Sequence, residues 1–404
     1  MKQVPVTDLK PGDVIADPVC DGDGKRFLPK GIKLNSALIA RLRNRSVQAV
    51  VIEGSEADPV ENSHNLLADL DHRFSAWEEV GHMMRLKEIA SAHLTGRAVP
   101  PAANGLPEEV SVDGAAEAAQ ADPDRIRQFR ERVENAANLP TLPDVVLRIN
   151  EIIESPATGG RQVGAEIAKD QVLSAKVLKL VNSGLYGFAK PISSIPHAVT
   201  MLGFDAVKSL VLSSSVLDII TDAIPGLWEH SQACARTCGL LAHHLQLPDP
   251  EELVTIGLLH DLGKVVLHQA LDAEYQEVLL RVMRADMLFF EAEEEPGVLA
   301  PGLNHGTIGG WLLEKWTLPA KLVEPIAGHH VFRPDLAHPE RTAVVHVADV
   351  LCRAESFGNG GDRRIPLLQP AALRLLGLGM VEVEAVMNQM DRGLRDIPRV
   401  QPGL

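Results

Sequence analysis

The run Val344-Val-His346-Val-Ala-Asp349-Val-Leu constrains the fold more than any other, because it sets one carboxylate inside an otherwise apolar helical stretch. A lone buried Asp costs several kcal/mol unless it is paired or binds a metal. The chain must therefore bring Asp349 a partner from elsewhere. A second stretch has the same character. Gly257-Leu-Leu-His260-Asp261-Leu-Gly-Lys264 ends an apolar run in a histidine, a carboxylate and a lysine. His260 offers a borderline imidazole nitrogen and Asp261 hard oxygens, a mix that suits a divalent metal, and the two oxygens of Asp261 could bridge two ions. Lys264 could neutralise a phosphate or donate a proton to a leaving group. The dipeptide also reads as a helix-end Asp beside a satisfied core histidine.

From Asp124 the chain reads as helical almost throughout. Arg125–Asn138 is one helix. Thr141-Leu-Pro-Asp opens another, with Thr141 or Asp144 as its cap and Pro156 as its stop. Short helices follow over 163–168 and 174–181, then a helix from Ser193-Ser-Ile-Pro through Met201 and a long apolar one over 205–220. The short pair around 163–181 could be taken for a DNA-reading helix-turn-helix. Its second helix offers Ser174, Lys176 and Lys179 rather than Arg, Asn or Gln at its start, so simple helix packing is the better reading. The net charge of −15 argues the same way, since nucleic acid and anionic membranes recruit basic faces. Nucleic acid is not an expected partner.

The first 55 residues differ. Val4-Pro-Val, Asp13-Val-Ile-Ala, Pro18-Val-Cys20 and Ala49-Val-Val-Ile52 are short β-type runs, and Asp23-Gly24 suits a hairpin turn. Ser36–Arg43 reads as a short helix. Asp21-Gly-Asp-Gly lacks the downstream Glu of a calcium loop, so it reads as a turn. Residues 56–96 read as a helical linker with His64, His72, His82 and His93 at surface positions and room for a homodimer contact. Residues 97–124 are rich in Ala, Pro and Gly and read as a flexible linker. The expected organisation is a small β-rich N-terminal domain over 1–55, these two linkers, an all-α domain over 125–395 and a tail over 396–404. Within the all-α domain, 125–222 and 223–395 form two lobes. No apolar run reaches the ~18 residues of a membrane span, and the first residues lack a signal-peptide core. Four cysteines in so long a chain fit a reduced, cytoplasmic protein.

Leu139-Pro-Thr-Leu-Pro, Ile167-Ala-Lys-Asp, Leu180-Val-Asn-Ser-Gly-Leu-Tyr-Gly, Ile192-Ser-Ser-Ile-Pro-His-Ala-Val and Leu202-Gly-Phe, in this order, resemble the HDOD domain. This is a signalling-associated branch of the HD phosphohydrolase superfamily, related to the HD-GYP phosphodiesterases. Gly309-Gly310 with Trp311 and Trp316 fits the same pattern. The N-terminal segment, through Leu9-Lys-Pro-Gly-Asp-Val, Asp23-Gly24 and Leu28-Pro-Lys-Gly31, is similar to the small domain found ahead of HD-GYP domains.

The resemblance implies a mainly α fold and a metal-ligand order carried here by His230, His260, Asp261, His305, His329, His330 and Asp349. It implies one or two divalent ions, with Fe, Mn, Ni or Zn all suited to the N and O ligands. Asp261 and Lys264 are the implied catalytic pair. His230, Cys234 and Cys238 share one helix face, and the cysteines read as small buried residues or as soft ligands. The HD-GYP relatives follow the paired histidines with an acidic residue and Gly-Tyr-Pro. Here Val331-Phe332-Arg333-Pro follows His330, and no tyrosine occurs after Tyr275. The first expectation is thus a signal-transduction protein acting on protein partners through a domain with a metal-binding site. The second is an active metal-dependent phosphohydrolase or phosphodiesterase on a nucleotide or cyclic dinucleotide.

Overall fold

The computed structural model describes 59–99, 122–136, 171–182, 192–203, 226–358, 360–362 and 364–397 as continuous stretches, with scattered positions in 2–52, at 107 and in 164–224. The chain forms two compact units, Met1–Asn65 and Leu66–Leu404.

In the first unit, β1 (Lys2–Pro5) pairs antiparallel with β4 (Ala49–Ile52), in register Lys2 with Ile52 through Pro5 with Ala49. β2 (Val19–Cys20) and β3 (Arg26–Leu28) form the expected hairpin. Val4, Val6, Leu9, Ile15, Val19, Leu34, Ile39, Leu42 and Val50 make its small core. The Asp23-Gly24 turn itself and most of 29–48 lie outside the described residues, as do the helix expected from Thr141 and most of the 97–124 linker.

The second unit is helical. It takes in α1 (Pro59–Arg73) from Leu66 onward, α2 (Gly81–Thr95), α3 (Pro123–Glu134), α4 (Gln171–Val181) and α5 (Ile195–Leu202), then α6 (Leu227–His244), α7 (Pro250–Leu259) and α8 (Leu262–Ala270). It continues with α9 (Asp272–Ala285), α10 (Phe289–Glu294), α11 (His305–Lys315), α12 (Ala320–Ala327), α13 (Pro339–Ala354), α14 (Pro370–Leu376) and α15 (Met380–Gly393). Local signals start several of these. The side chain of Asp122 accepts from the backbone of Asp124 and Arg125 ahead of α3, Ser194 does so from His197 ahead of α5, and Asn304 from Thr307 ahead of α11.

One expectation is corrected here. Residues 62–95 are not a surface stalk. Phe74 is wholly buried, and the chain bends there through a short 3-10 turn at Ser75–Trp77 into α2. Leu70, Met83, Leu86 and Ile89 enter the same core as the later helices, so the apolar face expected to offer a dimer contact is spent within its own unit. His82 is buried with it and His93 half-buried: His82 Nε2 donates to the Leu368 carbonyl at 2.9 Å, and His93 Nδ1 lies 2.6 Å from Glu355 Oε1. His72 keeps the expected exposure, 3.2 Å from Asp286, and the side chain of His64 lies outside the described residues. The physical reason is that the apolar stripe had no other face to cover, and burial of large apolar side chains outweighs the loss of a polar surface for two histidines that find partners.

Glycines set how closely the helices round α8 approach. A Cβ on Gly263 would lie 1.7 Å from the carbonyl oxygen of His305, and one on Gly306 would lie 2.8 Å from that of Ala327. One on Gly257 would meet the backbone oxygen of Cys234 at 2.8 Å. These contacts press α7 and α8 against α6 and α11, and α11 against the end of α12.

Candidate metal centre

The helix ends so gathered carry the polar residues singled out by sequence. His230 lies in the first turn of α6, and His260 and Asp261 form the break between α7 and α8. His305 opens α11, His329 and His330 follow α12, and Asp349 lies inside α13. His230, His260, His305 and His329 are fully shielded from solvent, and Asp261 and Asp349 nearly so. The structure brings together every ligand-type residue named from sequence. They fall into two groups whose ligand atoms lie within 4.8 Å of one another: Asp261, His305, His329 and His330, and His230, His260 and Asp349 joined by Cys234.

The imidazoles are oriented for ligation. His260 Nδ1 lies 2.8 Å from the Gly257 carbonyl, and His329 Nδ1 lies 2.7 Å from that of Ile326. A carbonyl oxygen only accepts, so each Nδ1 carries the proton and each Nε2 presents a bare lone pair. Those two Nε2 atoms are buried and have no hydrogen-bond partner. His230 departs from the pattern: its Nε2 lies 2.9 Å from Asp349 Oδ1, and a carboxylate oxygen only accepts, so here Nε2 carries the proton, with Nδ1 3.3 Å from the Phe357 carbonyl. Fixing the tautomer through a backbone carbonyl is how proteins hold metal-ligating histidines. The donor set therefore fits a divalent ion.

His305 is held differently. Its Nδ1 lies 2.7 Å from Glu293 Oε2, and its Nε2 lies 3.0 Å from Asp261 Oδ1 and 2.7 Å from His330 Nε2. Burial works against its charge, but the charge and hydrogen bond of Glu293, with the hydrogen bond to Asp261, together outweigh it and raise the pKa. Burial, then the neighbouring imidazoles, hold His329 and His330 well below the ordinary range, so both are neutral. Burial would raise the carboxyls of Asp261 and Asp349. Lys264 with His260 and His305 together overcome it for the first, and Arg353 with His230 and His260 for the second, so both carboxyls are held well below the usual range.

Sequence reasoning missed four members of this centre. Arg353, one turn beyond Asp349, donates from Nε to Asp349 Oδ1 at 2.7 Å, and its Nη1 pairs with Asp362. Asp362 also accepts from the backbone of Phe289 at 2.5 Å. Glu293 lies in a run of acidic residues, and nothing in that run marks the one that turns inward. Gly358, at φ +66°, packs against His230, where a Cβ would sit 2.0 Å from the backbone nitrogen. An Arg at i+4 from a lone Asp in an apolar helix is the one signal that could have been read.

Lys264 faces inward. It is fully buried, and its Nζ donates to Asp261 Oδ2 at 2.9 Å and to the Gly360 carbonyl at 2.6 Å. Of the residues that stand where Gly-Tyr-Pro would be, Phe332 is buried and Arg333 is exposed and paired with Asp335. His346, close in sequence to Asp349, is no ligand: its Nδ1 donates to the His329 carbonyl and its Nε2 accepts from the backbone of Gln369.

Residues 139–332 match the family model of the HDOD domain. An uncharacterized protein of Treponema pallidum (strain Nichols) is 30% identical over 204 residues, which are 48% of this chain and 38% of that protein. The uncharacterized protein YuxH of Bacillus subtilis (strain 168) is 29% identical over 124 residues, 30% of each. The matched parts thus span well under half the length of these curated relatives. The crystal structure of an HDOD domain protein with unknown function from Geobacter sulfurreducens aligns with a TM-score of 0.51 at 27% identity, covering 67% of this chain and 98% of that one. A protein from Marinobacter aquaeolei VT8, named as a candidate signal transduction protein, aligns with a TM-score of 0.54 at 21% identity, covering 67% of this chain and 63% of that one, and shares the fold. Asp349, Arg353 and Asp362 lie beyond the residues matched by the family model.

Proposed function

We propose that this chain, which carries an HDOD domain, is a bacterial signal-transduction protein that acts through contacts with other signalling proteins and holds one or two divalent ions in its His/Asp centre. The observation that carries the metal reading is the pair of buried, unpartnered Nε2 lone pairs of His260 and His329, each fixed by an Nδ1–H donated to a backbone carbonyl. His230, His260 and Asp349 would hold one ion, and Asp261, His305, His329 and His330 a second. When bound, a divalent ion supplies Lewis acidity toward a phosphoryl oxygen and acidifies water.

What favours a regulatory role over hydrolysis is access. The ligands are sealed from solvent, and the cation expected to meet a phosphate, Lys264, is wholly engaged by Asp261 and Gly360. In this reading Lys264 positions Asp261, and Phe357, Gly358 and Gly360 shield the ligands from water. The missing Gly-Tyr-Pro argues against a cyclic dinucleotide, which needs a stacking surface and phosphate contacts. The name borne by the Marinobacter aquaeolei protein is consistent with signalling. None of the described helices is long and apolar enough to cross a membrane. The low cysteine content, four in 404 residues, supports a cytoplasmic place for the protein. The likeness of the first unit to the domain ahead of HD-GYP domains makes that unit the candidate input or partner-binding module.

One observation favours the second reading, an active metal-dependent phosphohydrolase or phosphodiesterase: all the ligand-type residues are retained and brought together. Incubation with bis-p-nitrophenyl phosphate and Mn²⁺ separates the two. The regulatory reading expects no turnover above background. Turnover abolished in Asp261→Ala would replace it with the enzymatic one.

A further inference from the structure

The ligands are sealed, yet an ion has to reach them, and a metal site needs an entry path. One ligand is less shielded than the rest. His330 keeps 7% of its surface open, against 2% or less for the other six ligand-type residues. Phe290 of α10 lies against it. The phenyl ring stacks on the His330 imidazole with centroids 4.6 Å apart and planes 16° from parallel. Its neighbours on α10 are fixed. Phe289 is buried, its ring edge-on to His305 at 5.6 Å and its centroid 5.0 Å from Lys264 Nζ. Glu293 is fully buried and accepts from the backbone nitrogen of His305 at 3.0 Å as well as meeting its Nδ1. The helix is tied at both ends. The backbone of Phe289 donates to Asp362 at its start, and Asn304 Nδ2 donates to Glu294 Oε1 at 2.8 Å at its end. Phe290 is only half-buried, and its ring can turn without breaking a hydrogen bond. One aromatic stack is a small term beside the burial of Phe289 and the bonds of Glu293, and side-chain rotation is fast next to local unfolding.

We propose that Phe290 is the gate of the second group, its ring turning off His330 to admit or release an ion while the helices stay packed. The inference rests on the metal reading above and names how that site is regulated. Occupancy is controlled by the rotation of one side chain at the rim, not by unfolding of the domain. Val331, next to His330 in the chain and 50% exposed, is the control for a change at the same edge that leaves the stack intact.

The test uses the full chain loaded with Zn²⁺ and mixed with excess pyridylazoresorcinol, a chromogenic chelator, with zinc transfer followed by absorbance. Phe290→Ala should release zinc roughly ten-fold faster than wild type, the weight of one aromatic stack. Its zinc content before mixing, and its amide exchange through α7 and α8, should match the wild type. Val331→Ala should release zinc at the wild-type rate, and Phe290→Trp, which keeps a ring in place, no faster. Phe290→Leu replaces the alanine variant if circular dichroism shows that the latter does not fold. Equal release from wild type and Phe290→Ala overturns the gate and leaves the metal reading standing. Faster release matched by faster exchange in α7 and α8 also overturns it, since the ion then leaves by unfolding. A chain that takes up no zinc overturns the metal reading itself, and this inference with it.

Discussion

Lys264 Nζ lies 2.9 Å from Asp261 Oδ2, and both side chains are buried at the junction where the His-Asp break meets α8. The ammonium is thus a built-in counter-charge for the carboxylate, and it competes with any ion the carboxylate binds. Lys264→Met keeps the apolar stem and removes the charge. Breaking a buried pair from one side costs roughly 3–5 kcal/mol, so the metal-free variant should unfold at lower denaturant. Its affinity for a divalent ion should rise. Parallel denaturation and metal titrations check both. If Lys264 instead served the metal site directly, affinity would fall along with stability.

Gly263 faces the backbone of His305 with no room for a side chain. Gly263→Ala forces α8 and α11 apart at the point where Asp261 and His305 meet. Overpacking typically costs about 1–3 kcal/mol, and the upper end is expected where backbone rather than a flexible side chain is in the way. The expected outcome is loss of cooperative unfolding or of soluble protein. A variant that folds with wild-type stability would mean that the two helices do not cross so closely.

Arg73, at the end of α1, donates from Nη1 to Ser356 Oγ at 2.6 Å and from Nη2 to the Arg353 carbonyl at 2.5 Å, and its own carbonyl accepts from Ile365 at 3.1 Å. Trp77 Nε1 donates to the Ile365 carbonyl at 2.7 Å. The helices ahead of the long linker therefore grip the segment that leads over the ligands through Phe357 and Gly360. Arg73→Ala removes two charge-assisted bonds and should cost about 2–3 kcal/mol. It should also speed amide exchange through 356–365. Unchanged exchange there would mean that this segment does not depend on α1.

The His93–Glu355 pair gives a pH dependence. Burial opposes charge on His93, but the hydrogen bond and charge of Glu355 outweigh it and raise the imidazole's pKa. A folded pKa above the unfolded value of ~6.5 means that the pair's contribution is complete below that value and fades as pH rises through the folded pKa. The stability gap between wild type and His93→Gln should therefore be widest in mildly acidic buffer and shrink in alkaline buffer. A gap that is constant, or that widens with pH, contradicts a charged His93.

Much of this was legible in sequence for identifiable reasons. Asp349 stood out because an apolar helix cannot hide a carboxylate without a partner, and its partners are Arg353 and His230. The β2–β3 hairpin was legible from short β runs either side of Asp-Gly. The paired groups of ligands were not, because they depend on which residues meet across helix crossings set by Gly257, Gly263 and Gly306. Glu293 and Asp362 were hidden for the same reason: nothing in the sequence marks the carboxylates that His305 and Arg353 will meet. His82 and His93 were misplaced because histidine spacing along α2 says nothing about whether Leu368 and Glu355 will be waiting.

The most direct measurement is the metal content of the full chain, purified without chelator or metal-affinity steps, by elemental mass spectrometry beside Asp261→Asn and His260→Ala. The account predicts one or two divalent ions per chain, with content reduced in each variant. Protein that holds no metal as purified, and none after anaerobic reconstitution with Fe, Mn or Zn, would contradict it. The histidines and carboxylates would then be a hydrogen-bonded polar core that serves only to join helices.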